Sequence, residues 1–468
     1  MKRFVCLLLL FSLCVSAQDD TQTNDNPDAK MLRSIYDLSL TEGQCYENLN
    51  DLCCNIGGRL SGSKEAEMAV EWAKKKLEGF ADTVFLQPVM VPHWVRGEAE
   101  EAEILFSDGS VVETHICALG FSIATPAEGL TAEVVEVFSL EEVAQLKPEE
   151  VEGKIVLFNR PMDPKHIDTF HAYSGCVDQR SSGASEAAPH GAAAVLVRSM
   201  NLRQDDLPHT GVQRYKDGVK KIPSAAISTN GASFLSEALK IDPKLKVRIK
   251  MNCQNFPDVL SYNVIADIKG SKYPDELLMV SGHLDSWDTG EGAHDDGAGT
   301  VHAMEVLRMM KVMKYEPEHT IRCVLYMNEE NGPNGAIEYA KVTKELGWNH
   351  RMALESDRGG FSPRGFTFDG MDDVPDKMLA TVSQWKGLFE PFHIHIFDKG
   401  FGGVDIGLMR DQGVPLIGFL PDPQRYFDYH HAPNDNMDAV NERELELGAA
   451  AIMSLVYLLD QHLEEEGR

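Results

Sequence analysis

From residue 264 onward the sequence alternates between strand, loop and helix, and this rhythm limits the fold more than any other feature. Short apolar runs at 277–281, 320–327 and 352–354 are typical of buried strands, and amphipathic segments at 300–313 and 335–346 are typical of helices. Alternation of this kind predicts an α/β layer architecture. We therefore expect an α/β fold with a central mixed β-sheet flanked by helices.

The region from about 110 to 252 has a different pattern of predicted elements. Short β-rich runs alternate with loops and brief helices, and no cluster of chemically active residues is evident there. We interpret this region as a small, β-rich domain inserted into the main one. The main domain would then comprise residues 18–109 and 253–468, and its second part would carry the functional site.

The first seventeen residues have the pattern of a secretory signal. Met1-Lys2-Arg3 is basic, residues 4–15 are apolar, and Val15-Ser16-Ala17 offers a small-residue cleavage site. The apolar run is too short to span a bilayer, and no other segment approaches the necessary length. We predict a cleaved signal peptide at 1–17 and a secreted or periplasmic protein without a membrane span.

Charge and cysteine content exclude several classes of function. The chain has 44 Lys and Arg against 73 Asp and Glu, a formal net charge of −29. Nucleic acid and anionic membranes are therefore disfavoured as partners, because both require clustered basic residues. The cysteines outside the signal peptide form no CxxC pair, which disfavours a zinc ribbon and a thiol hydrolase.

Acidic and imidazole residues follow each of the predicted strands. His283 and Asp285 come after the run at 277–281, and the pair Glu329-Glu330 ends the next strand. Ligands of open α/β sheets bind beyond the carboxyl ends of the strands, so groups from separate loops converge there.

Three further sequence positions complete this set. Asp357 follows the run at 352–354, Asp295 lies between the first two strands, and the pair His430-His431 lies near the C-terminus. Each group alone has an ordinary explanation, such as a surface turn, a helix cap or a solvated pair. Together they favour a site for Zn²⁺ or a comparable divalent ion, because carboxylates and imidazoles without thiolates suit such a metal. Adjacent glutamates also allow one to bind metal and the other to act as a general base.

Four segments carry a resemblance to a known family. They are Ser-Gly-His-Leu-Asp-Ser (281–286), Gly-Ala-His-Asp-Asp-Gly-Ala-Gly (292–299), Asn-Glu-Glu-Asn-Gly (328–332) and His-His-Ala-Pro-Asn-Asp-Asn-Met (430–437). They resemble the motifs of the co-catalytic two-zinc exopeptidases that include bacterial leucyl aminopeptidases. The resemblance covers nearly the whole chain after residue 17. It implies the zinc exopeptidase fold and likens the inserted region to a protease-associated domain.

The resemblance implies two Zn²⁺ ions bridged by Asp295, although the same ligands tolerate other divalent metals. His283 and Asp357 would complete one site, and Glu330 and His431 the other. His430 is the competing ligand to its neighbour. The last motif departs from the family pattern where Ala432 replaces Ser or Thr, which removes a hydroxyl but no ligand.

The resemblance also implies roles around the metals. Glu329 would be the general base that activates a metal-bridging water, and Asp285 would orient His283. Asp296 stands where the family has an unusual cis peptide. The loop 402–405 and Tyr426 would border the substrate pocket.

The resulting hypothesis is a secreted or periplasmic two-zinc metallopeptidase that hydrolyses dipeptides or short peptides. The resemblance further implies a homodimer. Two alternatives are a receptor on the same fold, which would have lost metal ligands, and a glutaminyl-cyclase-like acyltransferase, which would lack a large insert. The sequence leaves open whether the amino or the carboxyl end of the peptide is recognised.

Overall fold

Two eight-stranded mixed sheets organise residues 26–463, the part of the chain that the computed structural model describes. The predicted signal peptide lies outside these described residues. The strands are β1 (Thr83–Val95), β2 (Glu100–Leu105), β3 (Val111–Thr114), β4 (Ile116–Ala118), β5 (Leu130–Val137), β6 (Ile155–Phe158), β7 (Ala194–Arg198), β8 (Ser224–Ile227), β9 (Lys246–Met251), β10 (Gln254–Ile268), β11 (Tyr273–His283), β12 (His319–Tyr326), β13 (Asn349–Glu355), β14 (Pro363–Asp369), β15 (Ile396–Lys399) and β16 (Leu416–Pro421). The helices are α1 (Pro27–Glu42), α2 (Cys45–Asn55), α3 (Lys64–Leu77), α4 (Leu140–Gln145), α5 (Pro148–Val151), α6 (Thr169–Ser174), α7 (Asp178–Ala187), α8 (Thr229–Ile241), α9 (Ala298–Met313), α10 (Asn334–Leu346), α11 (Val374–Ser383), α12 (Lys386–Phe389) and α13 (Glu442–His462).

The first sheet has the order β1-β10-β12-β11-β13-β16-β14-β15. Its centre is parallel, because β11 pairs in parallel with both β12 and β13. Along β11, Leu278 and Val280 enter the hydrophobic core on one face, and Met279 enters the core on the other. Parallel strands need this cover on both faces. The predicted α/β class with a central mixed sheet is confirmed.

Helix α13 is central to the larger core. Its residues from Ala449 to Leu459 are buried without interruption, and it packs against α1 and α9. A helix that is apolar around its whole circumference belongs inside a protein. No helix within residues 26–463 combines the length and the apolar composition required to cross a lipid bilayer.

The second sheet has the order β3-β2-β9-β5-β6-β7-β8-β4 and a hydrophobic core of its own. It begins at Glu100, so the predicted boundary at residue 110 falls inside this unit, between β2 and β3. The sequence pattern could not separate β1 from β2, since both are β-rich and only a short segment at 96–99 divides them. We call residues 96–253 the inserted unit.

The inserted unit leaves and rejoins the first sheet at neighbouring points. Strands β1 and β10 are antiparallel, and Val95 at the end of one pairs with Gln254 at the start of the other. The whole unit therefore lies at the tip of a long two-stranded ladder.

Arg96 fixes the inserted unit against the loop that follows β11. Its guanidinium is buried and donates to Asp288 at 2.7 Å, to the Ala118 carbonyl at 2.6 Å and to the Thr210 hydroxyl at 3.2 Å. Because the Asp288 carboxylate belongs to the main domain, this ion pair joins the two units.

Arg59 joins two segments within the main domain. The side chain is fully buried, and it donates to the carbonyls of Leu284 at 2.6 Å, Glu291 at 2.7 Å and Gly292 at 3.0 Å. One guanidinium, with several donors in a fixed plane, satisfies carbonyls along a loop that has no regular structure. It ties the end of α2 to the loop between β11 and α9.

We expect Arg59→Met to lower the free energy of unfolding by about 3 kcal/mol or more, because each buried carbonyl left without a donor costs roughly 1–3 kcal/mol. The shift of the urea unfolding midpoint measures this loss. Arg33→Met is the matched control, since Arg33 and its partner Asp37 are exposed, and it should change stability by less than about 0.5 kcal/mol. Equal midpoints for the two variants would contradict the role of Arg59.

Candidate metal centre

Three neighbouring parallel strands deliver the first group of site residues. His283 is the last residue of β11, Glu329 and Glu330 follow β12, and Asp357 follows β13. Since β11 lies between the other two strands, their carboxyl ends meet at one edge of the sheet. The convergence expected from the sequence therefore occurs in the structure.

Asp295 lies between two imidazoles. Its Oδ1 is 3.3 Å from His283 Nε2, and its Oδ2 is 3.3 Å from His431 Nε2. Each imidazole has a second carboxylate beside it. Asp357 Oδ1 lies 3.4 Å from His283 Nε2, and Glu330 Oε2 lies 3.0 Å from His431 Nε2. The two oxygens of Asp295 thus face two separate pairs, each made of one imidazole and one carboxylate.

The two adjacent histidines are not equivalent. His430 Nε2 lies 3.8 Å from Asp295 Oδ2, farther than the 3.3 Å of His431 Nε2. The rings are stacked, with centroids 3.6 Å apart. His431 Nε2 also lies 3.0 Å from Glu330 Oε2, and it therefore occupies the position between two carboxylates.

Several buried polar atoms at this site have no hydrogen-bond partner within the described part of the chain. They are His283 Nε2, Asp295 Oδ2 and Asp357 Oδ1. Buried polar atoms are normally satisfied, so each orphan requires an explanation. A divalent cation between these nitrogen and oxygen atoms would satisfy them, and imidazole with carboxylate is the donor set that zinc accepts. The residues present therefore fit a metal.

The electrostatics of the site lead to the same conclusion. Burial raises the pKa of Glu330 well above its ordinary value, and the neighbouring carboxylate of Asp295 acts in the same direction. Burial opposes protonation of His283, but the adjacent Asp295 and Asp357 outweigh it and raise its pKa. Buried negative charge of this density requires a compensating positive charge. A bound metal ion would supply this positive charge, and the site would not have to take up a proton.

Main-chain carbonyls lie beside Nδ1 of both candidate imidazole ligands. His283 Nδ1 lies 3.0 Å from the Asp285 carbonyl, and His431 Nδ1 lies 3.3 Å from the Thr210 carbonyl. A carbonyl only accepts hydrogen bonds, so Nδ1 of His283 donates and its Nε2 lone pair is free for a metal. His431 Nδ1 lies beside both the Thr210 carbonyl acceptor and an Arg180 N–H donor at 3.4 Å. Thr210 belongs to the inserted unit and also donates its N–H to the His431 carbonyl at 2.9 Å.

Asp285 approaches His283 through two of its oxygens. Its main-chain carbonyl lies 3.0 Å from His283 Nδ1, and its carboxylate Oδ1 lies 3.9 Å from the same nitrogen. The fully buried carboxylate accepts from the N–H groups of Asn328 at 2.7 Å, Glu329 at 3.0 Å and Glu330 at 3.3 Å. It therefore holds the main chain that carries both glutamates.

Two other carboxylates hold the main chain around Asp295. Asp296 accepts from the N–H groups of His283 and Gly299, and Asp435 accepts from those of His294 and Asp295. The Asp295–Asp296 peptide bond is cis. No role for Asp435 was apparent from the sequence, although it lies within the last motif.

A cavity of about 740 Å³ opens onto these residues. As expected, the glycines of the 402–405 loop and Tyr426 line it. Glu355 shapes this loop by accepting from the N–H groups of Val404 and Ile406, and a Cβ on Gly403 would lie 2.4 Å from the Glu355 carboxyl carbon. Only glycine fits at that point.

The inserted unit supplies the opposite wall of the cavity, which the sequence analysis did not anticipate. Phe170 and Tyr173 of α6 and Arg180 of α7 all line it. Arg180 donates to the Tyr173 hydroxyl at 2.7 Å, and its other terminal nitrogen lies 3.4 Å from His431 Nδ1. These residues carry no recognisable motif, because their role depends on how one unit packs against the other.

Comparison with known proteins agrees with this geometry. Residues 263–456 match the profile of peptidase family M28. Carboxypeptidase Q from Bos taurus is 38% identical over 437 residues, which cover 92% of this chain and 89% of that protein. The chain belongs to peptidase family M28. Carboxypeptidase Q from Homo sapiens is 37% identical over 438 residues, with 93% and 89% covered.

Solved structures of this family have the same architecture. A Peptidase M28 precursor from Shewanella amazonensis SB2B is 32% identical with a TM-score of 0.87, and the match covers 94% of this chain and 98% of that one. BSAP, a zinc aminopeptidase from Bacillus subtilis, shares the fold at 19% identity with a TM-score of 0.61, covering 88% and 94%. This M28 family member is a metallopeptidase, and its relatives support exopeptidase activity.

The hydrogen bonds of Asp285 lead to a testable expectation. In Asp285→Asn the amide would turn an N–H group toward the N–H of Glu330, which costs roughly 1–3 kcal/mol and displaces that glutamate. We expect a lower unfolding temperature and weaker metal retention in chelator competition. Asp275→Asn, an exposed site on the same strand, is the control. If both variants retained metal equally, Asp285 would not hold the site.

Proposed function

We propose that this protein is a two-zinc exopeptidase that hydrolyses dipeptides or short peptides. The observation that carries the proposal is the position of Asp295, whose two oxygens face separate imidazole–carboxylate pairs at 3.3 Å. His283 and Asp357 would hold one ion, and Glu330 and His431 the other. Bound zinc supplies Lewis acidity, which polarises a scissile carbonyl and favours ionisation of water.

Glu329 is the proposed general base. It lines the cavity, and its Oε2 lies 4.0 Å from His283 Nε2. In the absence of metal, burial raises the pKa of Glu329 to about 8, and the nearby Asp357 and Asp295 add to the effect. Zinc held by those carboxylates would lower this pKa and leave Glu329 ionised and able to accept a proton. A base with a pKa near the working pH both accepts and releases a proton readily. Glu329 would take the proton from the attacking water and deliver it to the amine that leaves.

The proposal extends to the rest of the chain. The inserted unit would be a protease-associated domain, and residues 1–17 a cleaved signal that directs a secreted or periplasmic enzyme. The wall of Phe170 and Tyr173 supports a preference for short peptides, since it bounds the cavity on the inserted side. The complete set of proposed ligands argues against a receptor that has lost its metals. The homodimer implied by the family resemblance stays a prediction.

Replacing the proposed base tests the mechanism. Glu329→Gln should keep its metal content but lose roughly 100- to 10,000-fold in kcat on dipeptides, because general base catalysis is worth about that much. Glu338→Gln, which alters a glutamate paired with Lys341 on α10, should retain normal turnover. Near-normal activity of Glu329→Gln, or wild-type protein that hydrolyses peptides without metal, would contradict the proposal.

Metal stoichiometry tests the bridging role of Asp295. We expect about two zinc ions per wild-type chain, about one in Glu330→Ala or Asp357→Ala, and little in Asp295→Ala, since only Asp295 would serve both ions. Elemental analysis after dialysis measures these values. One ion in the wild type, unchanged in Asp357→Ala, would instead favour the glutaminyl-cyclase-like alternative.

A further inference from the structure

A second cavity, of about 550 Å³, lies beside the one that opens onto the metal centre. Arg214 of the inserted unit, together with Gly332 and Pro333 of the loop after β12, lines both cavities. The two spaces therefore adjoin along a boundary that both units form. The proposed chemistry at the metal centre uses none of the residues that line only the second cavity.

Gly332 places this boundary close to the proposed general base. Its N–H donates to the Glu329 carbonyl at 3.3 Å, so a single hydrogen-bonded turn separates the two residues. A Cβ on Gly332 would lie 2.6 Å from Asn328 Oδ1, which excludes a side chain at this point of the boundary. An extended dipeptide spans only about 7 Å. The further residues of a longer peptide must leave the metal centre, and the boundary without a side chain at Gly332 gives them a path into the second cavity.

Asn331, which precedes Gly332 and lines the second cavity, has a hydrogen-bond donor to offer there. The residue is 2% exposed, and its Oδ1 accepts from the Ser61 hydroxyl at 2.7 Å and from Asn328 Nδ2 at 2.5 Å. These two contacts fix the orientation of the amide. Asn331 Nδ2 has no hydrogen-bond partner within residues 26–463. A buried donor normally has an acceptor, and a main-chain carbonyl of a bound peptide would supply one.

The part of the inserted unit that lines the second cavity is basic. Residues 213–221 contain one acid, Asp217, and four cationic residues, which are Arg214, Lys216, Lys220 and Lys221. Three of the four line the cavity together with Asp217, and Lys220 does not. This local excess of positive charge contrasts with the formal net charge of −29 for the whole chain. It attracts anionic groups to a cavity that adjoins an acidic site.

Two of the three cavity-lining cations are free to pair with a ligand. Lys216 already pairs with Glu186. Lys221 Nζ lies 5.4 Å from the centroid of the Tyr215 ring, and neither Lys221 nor Arg214 forms an ion pair within the described residues. Carboxylate side chains of a bound peptide are the complementary groups.

We propose that the second cavity binds the residues by which a short peptide extends beyond a dipeptide at the metal centre, and that Arg214 and Lys221 select acidic side chains among them. This inference rests on the proposed exopeptidase function and names the class of peptides that the same site prefers. Asn331 Nδ2 donates to a carbonyl of the peptide beside the boundary. Arg214 and Lys221 are specificity-determining residues.

Extended peptides test this assignment in the zinc-loaded, full-length protein. Two glutamates are added to alanyl-leucine at its amino end in one substrate and at its carboxyl end in another, and glutamine-extended peptides are the neutral references. The kcat/KM values for cleavage of the alanyl–leucine bond give a glutamate-to-glutamine ratio for each end. Partial loss of metal or of folded protein does not alter this ratio, since both peptides report the same active fraction.

We expect the wild-type ratio to be about two- to tenfold above one for extension at one end only, because exposed ion pairs each contribute little. Lys221→Gln and Arg214→Gln should each lower that ratio about two- to fivefold, mainly through KM for the glutamate peptide. The end at which the glutamates accelerate cleavage is the end that enters the second cavity.

Lys220→Gln is the matched control. It removes the same charge from the neighbouring exposed lysine, which lies outside the cavity lining, and its ratio should equal that of the wild type. A wild-type ratio of one or less at both ends, an equal gain at both ends, or an equal loss in Lys220→Gln and Lys221→Gln would overturn the assignment. Cleavage of alanyl-leucine without cleavage of any extended peptide would also overturn it. If the zinc-loaded wild type cleaved neither the dipeptide nor the extended peptides, or Glu329→Gln cleaved them normally, the proposed function itself would fail.

Discussion

Buried negative charge at the carboxyl ends of β11, β12 and β13 is the constraint on which the surrounding structure depends. Some of these carboxylates accept hydrogen bonds from main-chain N–H groups, as Asp285, Asp296 and Asp435 do. Others, including Asp295 and Asp357, keep buried oxygens without such donors. The first group makes the loops rigid, and the second can remain ionised only beside a cation. The fold thus separates carboxylates that hold the main chain of the site from carboxylates whose oxygens are available to a metal ion.

Rigidity at this edge comes from hydrogen bonds and not from regular structure. Arg59 satisfies carbonyls along the loop after β11, and the Thr210 main chain holds both the ring and the carbonyl of His431. His431 has a positive φ of 61°, a conformation that non-glycine residues seldom adopt. Contacts from another part of the chain must therefore maintain it. Here the inserted unit provides them.

Much of this architecture could be predicted from the sequence, because periodicity and strand-end motifs are local signals. The strands at 277–281, 320–327 and 352–354, and the convergence of His283, Glu330 and Asp357, follow from the order of elements along the chain. The domain boundary at residue 110 stays a prediction, although β2 of the second sheet begins before it, because no strong turn signal divides β1 from β2. The contributions of Thr210, Phe170 and Arg180 had no signal at all. They depend on the packing of two units, which a single sequence does not encode in any local pattern.

The ladder of β1 and β10 has a consequence for how such an enzyme can evolve. Because Val95 and Gln254 are paired, the two chain connections between the inserted unit and the first sheet are adjacent. Excision between them would need only a short hairpin turn and would leave the first sheet intact. Yet the scaffold that remained would lose the carbonyl that orients His431. The inserted unit can therefore be separated from the chain but not from the chemistry, and any replacement for it must restore both contacts between the Thr210 main chain and His431.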